Sequence, residues 1–360
     1  MFNSDLAQCT PYLCAAAVAA MVLSLLYSRL CKSKLPKDQT RPLKLEGEEG
    51  GKCPFGYGGP GTASVRSQQM FAEFKEKQMR VILLYEDYIH LPALRAIWDN
   101  PVTAYPRMEP FFASACHGLE LCFLLLAEFS NDRRMYLSKR PRMELVVRDI
   151  IAQCHLLSDL LDGELEDTST KSVASFESQK PPVTDHAGTA VSPGLAHLHN
   201  VMERVLMKST SEERASMCVM IRSVVSTFTA LFSNGTLGLG IELQLNELGK
   251  LAGLGGCTFK EGRRYLDYAL LVRPQVVAST LFDEEYRHDE DFFFRTVHLG
   301  TDCWAFVAVS RVVAAKAFAA KRQWYQAAIQ IRYAAAILNY LGDHVLMLTS
   351  MVLRDYLELK

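Results

Sequence analysis

No Cys-x-x-Cys pair, no basic stripe and no strand-like alternation of apolar residues interrupts this 360-residue chain. The ten cysteines do not pair by spacing. Cys116, Cys122 and Cys303 fall inside apolar helical runs, where a free thiol behaves as a small hydrophobe. A disulfide framework or structural zinc site is therefore disfavoured, and a reducing compartment suits the main body. A net charge of −1 and a pI near 6.8 give no electrostatic footprint for nucleic acid. The one local cluster, Arg133, Arg134, Lys139, Arg140 and Arg142, reads as a solvated loop between helices. Gly238-Leu239-Gly240 has no third glycine three residues on and no strand before it, so no phosphate loop is expected.

Positive charge is also missing ahead of the first apolar run. Residues 11–28 are uncharged and long enough to span a bilayer, with only Asp5 before them and Arg29, Lys32, Lys34 and Lys37 after. A secretory signal carries its charges in front, so the run reads as an uncleaved single-pass anchor with the body in the cytosol, on the endoplasmic reticulum. On that topology Asn234 is not glycosylated. The expected organisation is an anchor over 1–31, a stalk and Gly/Pro-rich collar over 32–62, and a helical domain over 63–360 with a polar insertion at 162–193. Cys53-Pro54 reads as part of a rigid collar that packs its aromatics against the body, with thiolate ligation of haem iron as its alternative.

What is present is enough for a full core. With 49% hydrophobic and 22% charged residues, a unit of this size hides roughly three quarters of its unfolded surface. The apolar spacing predicts helices over 65–84, 91–98, 143–161, 195–208, 212–232, 242–251, 261–281, 289–320, 322–341 and 343–358. The fold class is all-α, a helical bundle. Ala327, Ala328, Ile331, Ala334, Ala335, Leu338 and Tyr340 predict close helix packing near the C-terminus. His197 and His199, two apart on a helix, face different sides.

From Phe111 to Ala127 the chain is apolar or small all round a helical wheel except at Ser114, His117 and Glu120, which predicts a helix buried on every side. Buried polar groups must find partners. The pattern recurs: Tyr85-Glu86-Asp87-Tyr88 precedes His117, and Tyr265-Leu266-Asp267-Tyr268 precedes His298. From 85 to 265 is 180 residues and from 117 to 298 is 181, which suggests a diverged tandem repeat with one buried histidine per half. Haem would suit a helical pocket lined by Phe111, Phe112, Phe292, Phe293 and Trp304.

Tyr85-Glu86-Asp87-Tyr88-Ile89-His90-Leu91-Pro92-Ala93-Leu94, followed by Phe112-Ala113-Ser114-Ala115-Cys116-His117-Gly118-Leu119-Glu120-Leu121, resembles the core of the tryptophan 2,3-dioxygenase family. Arg295-Thr296-Val297-His298 is similar to that family's Arg-x-x-His. The resemblance implies His298 as haem-iron ligand, His117 as the distal, oxygen-steering residue, and Phe112 as a pocket aromatic. Phe293 and Arg295 lie beside the ligand. The function it implies is a haem-dependent oxygenase inserting dioxygen into an indole or other small aromatic substrate, here membrane-anchored through residues 11–28, which is not a usual feature of that family. The family's substrate-gripping Phe-x-x-Phe-Arg, its Gly-Thr-Gly-Gly-Ser-Ser-Gly loop and the Trp after Glu-Leu are absent, and Glu120 sits one residue early. Two alternatives stand beside it. One is a carboxylate-bridged di-iron site using His117-x-x-Glu120 and Glu285-x-x-His288, and the other is a non-catalytic helical adaptor at a membrane whose histidines are satisfied core groups. Homo-oligomerisation is left open.

Overall fold

Prolines and left-handed residues set several of the breaks between helices. The computed structural model describes residues 85–100, 109–134, 138–166, 192–233, 239–255, 268–282, 290–352 and 355. Among these the regular structure is entirely helical, in line with the all-α expectation: α1 (Leu91–Trp98), α2 (Glu109–Asn131), α3 (Lys139–Glu166), α4 (Pro193–Lys208), α5 (Ser211–Ser233), α6 (Leu239–Leu251), α7 (Tyr268–Val272), α8 (Pro274–Phe282), α9 (Asp291–Ala320), α10 (Trp324–Leu346) and a closing 3-10 turn (Met347–Ser350). The anchor at 11–28, the stalk and collar with Cys53, the 65–84 helix, Asn234, Tyr265, Glu285 and His288 lie outside the described residues, as does most of the 162–193 insertion.

Local chemistry accounts for the helix starts. Ser192 caps α4 by accepting from the Leu195 N–H at 3.0 Å, with Pro193 in the first turn. Thr210 and Glu213 form a reciprocal capping box at α5. Two sequence expectations fail at boundaries. The single helix predicted over 261–281 is split, because Arg273 turns left-handed at φ 47° and Pro274 has no N–H with which to continue α7. The break predicted at Gly342 does not occur, and α10 runs through it. Ile337, Leu341, His344 and Val345 keep a helical inward face there, and that packing outweighs the roughly 1 kcal/mol cost of one helical glycine.

α2 is the axis of the fold and packs against α1, α3, α4, α7, α8 and α9. Every side chain from Ser114 to Ala127 is buried, as the all-round apolar wheel requires. α9 lies along α2, and α10 folds back on α9 through Lys321–Gln323. Two described stretches, Phe111–Asn131 and Asp291–Ala320, are long and apolar enough to cross a membrane by length and composition. The first is a core helix, since nearly all of it is covered by protein.

Candidate functional site

The polar residues that punctuate α2 and α9 gather into three buried centres. At the first, Trp98 at the end of α1 donates its indole N–H to His117 Nδ1 at 3.0 Å. Indole is only a donor, so Nδ1 accepts and Nε2 carries the proton. Nε2 donates to the carbonyl of Val272. That carbonyl ends α7, where Arg273 and Pro274 prevent another turn, so His117 caps an orphan helix terminus. Burial lowers the imidazole from 6.5 to about 4, with Arg273 adding to the effect and the Val272 bond opposing it, and His117 is neutral.

One turn along α2, Glu120 accepts from Tyr268 Oη at 2.8 Å and from the Gly194 N–H at 2.9 Å. Burial raises its carboxyl from 4.5 to about 7 against the opposing hydrogen bonds of Ser192, Tyr268 and Gly194. Because the folded value lies above the unfolded one, this group's stabilisation is complete below pH 4.5 and is lost as pH rises through about 7. The whole effect is about 3 kcal/mol. Glu120→Gln is expected to remove that slope. The difference in Tm between variant and wild type should change from pH ~5 to pH ~8, and a constant difference would refute the assignment.

The second centre lies on α9. His298 Nδ1 is 2.7 Å from Tyr85 Oη, with the Phe294 ring at 4.2 Å. Burial, and to a lesser extent the charge of His344, lower His298 to about 4. Tyr88 donates to Asp291, and the Arg295 guanidinium lies 4.4 Å over the Tyr88 ring with its Nε 3.4 Å from Asp291. Phe112 and Phe293 pack into the main apolar core with Phe111 and Trp304. His117 and His298 share no hydrogen-bond partner among the described residues. Arg295, expected beside a cofactor, stacks on Tyr88.

The third centre was missed by sequence reasoning. Asp149 on α3 receives His344 Nδ1 at 2.9 Å, Gln153 Nε2 at 2.7 Å, Cys122 Sγ at 3.1 Å and Tyr340 Oη at 3.2 Å. His344 Nε2 meets the Val297 carbonyl at 3.0 Å, and Trp304 donates to Gln153 at 2.8 Å. The network ties α2, α3, α9 and α10 together. Backbone approaches are close: a Cβ on Gly118 would come within 2.8 Å of Gln153 and Trp304, and one on Gly300 within 2.8 Å of His344. For His344, desolvation is the largest influence, but the charge and hydrogen bond of Asp149 outweigh it and raise the imidazole. Desolvation of Asp149 is likewise outweighed, chiefly by His344, and its carboxyl is lowered. The pair is an ion pair inside the core.

The basic cluster also departs from its reading as a solvated loop. Arg142 is buried and bidentate on Glu290, at 3.1 and 2.6 Å, with its guanidinium 4.1 Å over Phe129 and 4.7 Å over Phe293. Arg134 reaches Asp132, Glu290 and Asp355. Arg133 and Arg140 are exposed, and Lys139 is half-buried. Beside them a cavity of about 400 Å³ is lined by Phe129, Arg133, Arg134, Phe292 and Phe293 among others.

With this geometry in hand, the comparisons with known proteins bear on the chain's origin. Residues 61–216 match the family model described as Hs1pro-1 N-terminus. That is less than half the chain, and it spans α1 to α4 with His117 but not His298. No curated protein and no solved structure matches. The match corrects the resemblance drawn from Tyr85–Leu94 and Phe112–Leu121. Both blocks fall inside the Hs1pro-1-like region, and the family found there is not tryptophan 2,3-dioxygenase. Roles carried over from that family lose their warrant. His117 has both ring nitrogens engaged by Trp98 and Val272, an arrangement that does not fit a residue meant to steer iron-bound dioxygen. Among the described residues no group of three or more His, Cys, Asp or Glu is arranged to hold a metal ion.

Proposed function

We propose that this chain is a non-catalytic helical adaptor held at a membrane by residues 11–28, with its helical body on the cytosolic side. One observation carries the reading: His117, the polar group at the centre of the fold, spends both ring nitrogens on the chain itself. Glu120 does the same through Tyr268 and Gly194. A catalytic group needs a free lone pair or proton aimed at a substrate, whereas a satisfied core group specifies packing. Two tyrosines also tie distant parts of the chain together, at positions that the 180-residue offset does not relate to each other. Tyr85 bonds His298 on α9, while Tyr268 bonds Glu120 on α2.

A second reading, haem held by His298, draws support from a single contact. Tyr85 holds Nδ1 of a neutral imidazole, which is also how metal-bound histidines are oriented. The two readings separate by absorption spectroscopy of the full chain, purified in detergent after expression with haem precursor. The adaptor reading expects cooperatively folded protein with no Soret band. A Soret band abolished by His298→Ala would overturn it.

A further inference from the structure

The Ala-rich face predicted to pack near the C-terminus is only half used. Ala327, Ala334, Ile337 and Tyr340 turn inward, while Trp324, Ala328, Ile331, Ala335, Leu338 and Gly342 all lie at the surface of α10. The large ones are bare to a degree unusual for a core-facing helix: Trp324 is 66% exposed, Ile331 51% and Leu338 42%. Their spacing is four, three, four, three and four residues, a period of 3.5 and therefore the seam of a helix pair. Large and small residues alternate strictly along it: Trp, Ala, Ile, Ala, Leu, Gly.

We propose that α10 is a dimerisation helix that pairs antiparallel with α10 of a second copy, about a two-fold axis at the level of Tyr333. In that register Trp324 faces Gly342 of the second copy, Ala328 faces its Leu338, and Ile331 faces its Ala335. Each large side chain meets a small one, and the two-fold repeats all three pairings. A parallel pair would set Trp against Trp and leave the alanines facing each other across a gap.

The seam from 324 to 342 is about 27 Å long and roughly 10 Å wide, so it covers less than the ~800 Å² per partner of a standard interface. A weak, reversible dimer is expected, and anchoring both copies in one membrane would raise its occupancy. A lipid surface is the poorer occupant. Interfacial helices carry Lys and Arg along the polar edge, whereas this seam is bordered by Gln323, Arg332, Asn339 and Asp343.

The inference stands apart from the adaptor reading, since mass and haem content are read separately. Sedimentation equilibrium of the full chain in detergent should show a concentration-dependent dimer. Ala328→Leu should weaken it about tenfold by overfilling the site opposite Leu338, and adding Leu338→Ala should restore it by swapping the two sizes. Copies carrying Ile331→Cys should form a disulfide with copies carrying Ala335→Cys far faster than Ala328→Cys copies do with each other. Unchanged Tm in each variant keeps the comparison clean, because all of these side chains are exposed. A monomer at every concentration, a dimer indifferent to Ala328→Leu, a swap that fails to rescue, or capture by lipid vesicles that Ile331→Arg abolishes in a monomeric protein would each overturn the proposal.

Discussion

Asp149→Ala is expected to cost about 3–5 kcal/mol and to lower Tm by roughly 10 °C, because it removes the acceptor shared by His344, Gln153, Cys122 and Tyr340 and forces the buried imidazole to give up its proton or hold it unpaired. His344 then keeps only the Val297 carbonyl and the Tyr340 hydroxyl. The pair also sets a pH window. His344 is raised in the fold, so its contribution is complete below its unfolded value of 6.5 and is lost as pH rises through the folded value. Asp149 is lowered, so its contribution is complete above 3.8 and is lost as pH falls through its folded value. Wild type should therefore gain most over the variant between those two unfolded values. Thermal unfolding across pH checks this, and a variant as stable as wild type in that window would refute it. Asp149→Leu with His344→Leu should cost less than the sum of the single changes, because neither charge is then left alone.

Glu290→Gln is expected to be as damaging, about 3–5 kcal/mol, by a separate route. Glu290 is fully buried and serves two guanidinium groups at once, one of them Arg142 beneath the rings of Phe129 and Phe293. Arg134 retains Asp132 and Asp355, but Arg142 loses its ionic partner. The contrast within one cluster is the test. Arg140 pairs with Glu144 one turn away in open solvent, and Arg140→Ala should leave chemical denaturation unchanged. Equal effects of the two substitutions would show that burial does not distinguish them.

Periodicity made most of the fold legible, because burial on all sides and burial on one side leave different wheels. The α2 wheel and the stretch from Met143 to Leu161 are examples. Centres built across helices were not legible. Asp149 and Gln153 stand among Val146, Ile150 and Cys154 on the inner face of α3, and that placement is the signal that flags them. Nothing local points to His344, 195 residues away, as the partner of Asp149. Arg142 looked like its neighbours Arg140 and Lys139 because charge runs say nothing of which side chain turns inward. Short motifs misled most. Histidine, glutamate and tyrosine at plausible offsets resembled a haem site, yet the same atoms cap a helix end and hold distant parts of the chain together.

The bond between Tyr85 and His298 fixes when the molecule can be finished on the ribosome. Tyr85 waits 213 residues for His298, which at 5–20 residues per second is about 10–40 s of synthesis. For most of that interval α2 has been made without α9 to cover it, and it carries the length and hydropathy by which targeting machinery recognises membrane segments. Until α9 arrives, only the segments already made can shield that core helix from being read as a membrane span.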